Sequence, residues 1–290
     1  MPANDINTPA SERNPSVANP SRVSCYFITG TGRCGTMLLS KVLSCGYNTH
    51  CNHEHSVPTL TMKDAYFHGD YNQLNEVSVR TIENLVSEYG RAGKSYGECS
   101  SHLFPVIPAL HDRFGSSTRF VLLVRRPDAF VRSALARGFF DPSHPKPCEH
   151  VRPNPATEIG AQWTELTPFD KCLWYWNMVN SAVLDTFDRL PAGLAQVVRM
   201  EDLNLSKIDE CFSFFGIDGF TANGDQIREL MGIRINASPG QGDDRSLNPW
   251  SQEISLPGIE TWTTTQRDAL VHWAGPLARK LYPEWMQQTF

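Results

Sequence analysis

The sequence has no long apolar run, no surplus of positive charge, no Cys-x-x-Cys pair and no internal repeat. Its longest strongly apolar run, Phe120–Val124, falls far short of the ~20 residues that a membrane-crossing helix needs. A membrane-spanning protein is therefore not expected. Lys and Arg number 26 against 31 Asp and Glu, for a formal net charge of −5. A general nucleic-acid binder is usually basic, so that class is disfavoured, although a local cationic site stays allowed. The start of the chain lacks a basic stretch followed by an apolar one. Residues 1–22 instead hold four prolines, four asparagines and three serines, the composition of a flexible N-terminal tail rather than a signal peptide. The eight cysteines (25, 34, 45, 51, 99, 148, 172 and 211) fit reduced thiols in a cytoplasmic protein.

With 290 residues, 40% of them apolar, the chain is long enough to bury a core. Residues 23–290 read as one domain. Val23–Thr29, Ser95–Ser100, Arg119–Val124 and Leu194–Arg199 have the short, apolar or β-branched character of strands. Helical patterns lie at Thr36–Leu43, 72–90, Leu103–Phe114, Ala129–Arg137, Phe169–Leu190, 206–215, 224–231 and 265–281. Tyr47–Pro58 reads as a polar, His-rich connection. Residues 138–170, with six prolines, read as a long loop, a lid or substrate loop. A Gly/Asp/Ser-rich loop is expected at 236–249. Strands alternating with helices predict an α/β fold: a central, mainly parallel sheet flanked by helices in three layers.

Chemistry concentrates after two of the predicted strands, where ligands of such sheets bind. The first place is Thr29-Gly30-Thr31-Gly32-Arg33-Cys34-Gly35-Thr36. A strand, a tight glycine loop and a helix start make an anion site: backbone N–H groups converge, and the helix N-terminus adds partial positive charge. Arg33 adds a planar cation. Gly30, Gly32 and Gly35 satisfy GxGxxG, which keeps a nicotinamide-dependent oxidoreductase open. Glu54, 19 residues after Gly35, stands near the distance at which such enzymes hold a ribose. Gly30 and Gly35 also have Walker-A spacing, but Thr36 occupies the lysine position, which removes the phosphate-bridging cation of a nucleoside triphosphatase. The second place is Val124-Arg125-Arg126-Pro127, with Ser133 eight residues after Arg125. A strand-end Arg and a Ser on the next helix can meet on one phosphate.

Both segments resemble the nucleotide motifs of the PAPS-dependent sulfotransferase family. Many members read Arg-Ser-Gly-Thr in the first loop, where this chain has Arg33-Cys34-Gly35-Thr36-Met37. The family's second motif, a strand ending in Arg-x-Pro with Ser eight residues on, is matched by Arg125 and Ser133. Arg199-Met200-Glu201-Asp202-Leu203, the helix end at Phe214-Phe215-Gly216-Ile217 and Gln266–Tyr282 are similar to later family segments. The resemblance implies a P-loop sulfotransferase fold. It implies that Gly32, Arg33, Cys34, Gly35, Thr36 and Met37 hold the 5′-phosphosulfate of PAPS, and that Arg125 and Ser133 hold its 3′-phosphate.

Sulfuryl transfer needs a base within reach of the acceptor and a cation for the leaving phosphate. The family resemblance makes Arg33 the candidate cation. Two bases compete. Glu54 lies 21 residues after Arg33, about the separation at which tyrosylprotein and heparan-type sulfotransferases carry a catalytic Glu. His102, in Ser100-Ser101-His102, stands where cytosolic sulfotransferases carry the His of Lys-Thr-His. His53 and His55 are weaker candidates. The Cys45, His50, Cys51, His53 and His55 cluster fits no standard zinc spacing, and no metal is expected. Trp174 and Trp176 read as core. The expectation is sulfuryl transfer from PAPS to a hydroxyl or amine of a small-molecule acceptor, without nucleic-acid or membrane partners. An anchor and stalk of the kind Golgi sulfotransferases carry are not expected. A non-catalytic nucleotide-binding protein remains the other alternative.

Overall fold

The computed structural model describes residues 23–233, 235 and 251–290. The tail expected at 1–22 and the loop expected at 236–249 lie outside them. The chain runs β1 (Cys25–Thr29), α1 (Thr36–Leu43), β2 (Thr49–His53), α2 (Thr59–His68), α3 (Asn72–Arg91) and β3 (Ser95–Cys99). A 3-10 turn at Phe104–Val106 leads to α4 (Ile107–Phe114), then β4 (Thr118–Val124), α5 (Pro127–Ala136), α6 (Glu158–Gln162), α7 (Pro168–Phe187) and β5 (Ala195–Arg199). The chain ends with α8 (Leu205–Phe215), α9 (Gly224–Met231), α10 (Thr264–Leu281) and α11 (Pro283–Thr289).

Among the described residues the strands form one five-stranded sheet, β2-β3-β1-β4-β5, with every pairing parallel. Strand alternation sorts the core into two layers. Phe27, Phe120, Leu122 and Val124 face one way, against α3, α4, α5, α7 and α10. Tyr26, Ile28, Val121 and Leu123 face the other way, against α1, α8 and α9. The fold is therefore the predicted three-layer arrangement. Helix α7 lies deep in the first layer, and its Trp176 is fully buried, as the core reading of that residue requires. Tyr26 stacks on Phe215 with ring centroids 4.4 Å apart, and its hydroxyl bonds Thr49 at 2.7 Å. That ring occupies the space a side chain would take on Gly97, where an added Cβ would lie 2.2 Å from Tyr26.

Three local readings of the sequence need correction. Residues 138–170 are not all loop, because α6 lies within them, started by the Thr157 hydroxyl accepting from the Gly160 N–H. Tyr47–Pro58 is not merely a connection, because it contains β2. This edge strand pairs only with β3 and keeps polar residues, Thr-His-Cys-Asn-His, so it lacks the apolar signature of a central strand. The helix expected over Leu103–Phe114 is divided into the 3-10 turn and α4. Pro108 has no N–H to offer Phe104 and its ring crowds that carbonyl, so the regular helix starts only at Ile107.

Candidate functional site

Parallel pairing places the carboxyl ends of all five strands along one edge. The chain leaves β1 toward β2 and β3 on one side, then returns to β4 and β5 on the other. The order reverses between β1 and β4, the crevice in which open α/β sheets bind ligands. Both sequence motifs open onto it. Gly30 follows β1 so tightly against β4 that an added Cβ would lie 2.3 Å from the Leu123 carbonyl. Gly32 (φ 71°), Arg33 (φ 53°) and Gly35 (φ 95°) then turn through left-handed backbone into α1. Gly35 caps α1 without a side-chain bond, and the first turn carries no acidic residue. Its N–H groups are thus left for an anion.

The two motifs meet. Arg33 Nε donates to Ser133 Oγ at 3.0 Å, across 100 residues of sequence. Arg125 Nη1 donates to the Arg33 carbonyl at 2.9 Å. The Trp176 indole in turn donates to the Arg125 carbonyl at 2.7 Å, fixing the end of β4 from the core. Burial, and then the neighbouring Arg125 and Arg137, lower the Arg33 pKa to about 10. Burial likewise lowers that of Arg125, with Glu201 opposing it. Both remain cations at neutral pH, and Arg33 sits in a field of like charge that an anion would relieve.

Glu54 and His102 come from the ends of β2 and β3 and line one cavity of about 550 Å³ with Gly32, Arg33, Thr36 and Met37. Glu54 has a left-handed backbone (φ 50°). Non-glycine residues with positive φ among those described are Arg33, Glu54 and Phe140, so the candidate cation and one candidate base both sit on strained backbone. Neighbouring bonds hold this conformation. Glu54 N–H donates to the Cys99 carbonyl at 3.1 Å. The fully buried Glu98 accepts the next two N–H groups, His55 at 3.0 Å and Ser56 at 2.9 Å, and the Tyr96 hydroxyl at 2.7 Å. Ser101 Oγ donates to Glu54 Oε1 at 2.8 Å. His102 Nδ1 is 3.3 Å from Thr59 Oγ1, and burial lowers its pKa despite the opposing pull of Glu54. A neutral imidazole is therefore the resting form.

Cys34 takes a different place from the rest of the loop. Its side chain is fully buried in the second core layer, and burial pushes its thiol up to about 12. Only its main chain is available to a ligand. Arg125 and Ser133 stand behind Arg33 rather than among the residues lining the cavity. His53, read as a weak base candidate, bonds Thr36 Oγ1 through Nε2 at 3.2 Å and so positions the loop. The zinc-like cluster is dispersed: His50 stacks on Tyr89 at 4.4 Å, while Cys51 contacts Cys99 at 3.7 Å. From the expected lid segment, Phe139, Pro147, Cys148, Glu149 and His150 form one wall of the cavity. Sequence reasoning missed Ser101, Lys63, Arg137, Glu98 and Glu201. Glu201 accepts from Arg126 N–H at 3.0 Å and Tyr282 OH at 3.0 Å, tying the end of β5 to the second motif. An acidic residue in a strand otherwise without charge, as Glu98 is in Ser95–Cys99, was the one signal available.

No family model matches the sequence, and no curated protein does. Solved structures do match in fold. A mouse sulfotransferase complexed with PAP is 15% identical, with 91% of this chain and 89% of that one covered, at a TM-score of 0.51. A sulfotransferase from Alicyclobacillus acidocaldarius is 14% identical over 88% of this chain and 93% of its own, at 0.46. The sulfotransferase domain of the curacin biosynthetic pathway is 14% identical over 87% and 96%, at 0.42. The chain has the sulfotransferase fold.

Proposed function

We propose that the protein transfers a sulfuryl group from PAPS to a hydroxyl or amine of a small-molecule acceptor. One observation carries the reading. Two motifs that read as anion sites, with Arg33 and Ser133 100 residues apart, meet at the topological switch point, joined by the 3.0 Å Arg33–Ser133 bond. A nucleotide phosphorylated at both ribose ends suits such a pair of cradles. The shared fold with a mouse sulfotransferase solved with PAP supports the same donor. The loop fits the group: Gly32 and Gly35 have left-handed backbone, its helix start is uncapped by any side chain, and Arg33 lies in the field of the like-charged Arg125.

When bound, PAPS supplies an activated sulfuryl group on a 5′-phosphate leaving group. Gly32, Gly35, Thr36 and Met37 would hold that end, and Arg125 with Ser133 the 3′-phosphate. Arg33 would leave Ser133 and offset the charge that develops on the leaving oxygen. Glu54, with Oε1 held by Ser101, would take the acceptor proton through Oε2. Neutral His102 would bond and orient the acceptor. The cavity, about 550 Å³, has the size of a small-molecule site.

The dinucleotide alternative fits the strand order less well. In a doubly wound dinucleotide fold β2 lies beside β1, which brings its terminal acid to the ribose. Here β3 lies between them, so Glu54 ends a strand that does not adjoin β1 and reaches the cavity beside the loop rather than the ribose position of that fold. The test is transfer of label from [35S]PAPS to a pool of phenols, alcohols and amines. Glu54→Gln should reduce transfer about 10²–10⁴-fold with 3′,5′-ADP binding retained. Absence of transfer by the wild type to every pool would leave a nucleotide-binding protein without catalysis.

A further inference from the structure

The cavity carries positive charge beyond what the two cradles use. Lys63, in the middle of α2, and Arg137, at the C-terminal cap of α5, both line it. Each is half-buried. Among the described residues neither forms an ion pair with a carboxylate. Arg137 has one long hydrogen bond, 3.4 Å to the Lys146 carbonyl. The acids lining the cavity bond elsewhere: Glu149 pairs with Arg152, and Glu54 accepts from Ser101. The two cations line the same cavity as Cys148 and His150, and the field of each reaches both of those residues.

Half-burying two cations without an ion-pair partner is unfavourable unless something anionic arrives. The anionic donor is met by the glycine loop, Arg33, Arg125 and Ser133. Lys63 stands apart from these, on the helix that follows Glu54 and near His102. We infer that the acceptor bears an anionic group, a carboxylate or a sulfate or phosphate ester, which Lys63 and Arg137 hold while its hydroxyl or amine faces Glu54. The inference rests on the sulfuryl-transfer reading. Arg137 supplies a planar fork that matches an oxyanion, and Lys63 a mobile point charge. An uncharged analogue would leave both cations without a partner, so the site selects for the anion as well as accepting it.

The test uses matched pairs of phenolic acids and their methyl esters, such as 4-hydroxyphenylacetate and N-acetyltyrosine. Each is titrated by calorimetry into the full chain, alone and loaded with 3′,5′-ADP. The acids should bind at least about tenfold more tightly than their esters, and Lys63→Gln with Arg137→Gln should erase that difference. Thermal melting checks that the double variant is folded. Three results overturn the inference: esters that bind as well as acids, a preference that survives in the double variant, or acids that do not bind. The two readings fail separately. If 3′,5′-ADP binds but acids show no advantage, the donor assignment stands and the anionic acceptor falls. If acids bind through Lys63 and Arg137 while 3′,5′-ADP does not bind, the anion site stands and the donor assignment falls.

Discussion

Arg125→Ala separates the two cradles energetically. In the resting protein the Arg125 guanidinium makes one charge-assisted bond, to the Arg33 carbonyl at 2.9 Å. Removing it loosens the glycine loop, which should weaken any nucleotide whose 5′-phosphate sits there. A 3′-phosphate would lose a further bond to a cation, worth about 1.5–3 kcal/mol. The first loss is common to 5′-AMP and 3′,5′-ADP, while the second belongs to 3′,5′-ADP alone. The ratio of the two dissociation constants should therefore fall about 10- to 150-fold in the variant. The main chain should stay in place, because the Trp176 indole bonds the Arg125 carbonyl, which alanine retains. Calorimetry at 25 °C and fixed ionic strength gives both constants. An unchanged ratio would show that Arg125 does not hold the 3′ end, and the assignment of the second cradle would fail.

Other perturbations test the supports of the site. Glu98→Ala orphans the His55 and Ser56 N–H groups and should cost about 2–3 kcal/mol in urea denaturation, with a larger fall in transfer because the turn carries Glu54. A loss below about 0.5 kcal/mol would refute that role. Gly30→Ala would force a Cβ to 2.3 Å from the Leu123 carbonyl and should destabilise by about 2–3 kcal/mol. Gly90→Ala, inside α3 with nothing within 4 Å of the added Cβ, should stabilise by about 0.5–1 kcal/mol. Equal effects would contradict the packing account. Burial holds His53, His102 and His150 below the ordinary histidine value of 6.5. Below that pH the unfolded chain binds more protons than the native one, so stability is complete above 6.5 and falls on acidification. His150→Phe should flatten the fall in melting temperature between about pH 7 and pH 5, and an equal or steeper fall would count against it.

The parts of this molecule that were readable in sequence are those whose local chemistry matches their tertiary role. Phe120–Val124 is apolar because β4 is buried on both faces, and Gly30, Gly32 and Gly35 mark a loop that needs close approach and left-handed backbone. Arg125 and Ser133 were legible through spacing, since a strand end followed by a helix turn places both at one end of the sheet. β2 was not legible, because an edge strand of Thr, His, Cys, Asn and His has no alternation of apolar and polar residues. Helix α2 was hidden similarly: it buries only Met62 and Ala65, too few to show a helical face. Lys63 and Arg137 could not be singled out, since each is an ordinary surface-type residue until α2 and α5 bring it to the cavity. Contacts such as Ser101–Glu54 and Arg33–Ser133 span 47 and 100 residues, and no local pattern encodes them.

The most direct measurement is a crystal structure of the protein with 3′,5′-ADP. The account predicts one nucleotide across the β1–β4 crevice, its 5′-phosphate on the N–H groups of Gly35–Met37 and its 3′-phosphate bonded by Arg125 and by a Ser133 released from Arg33. A nucleotide bound elsewhere, or one whose two phosphates fail to engage the two motifs together, would contradict it.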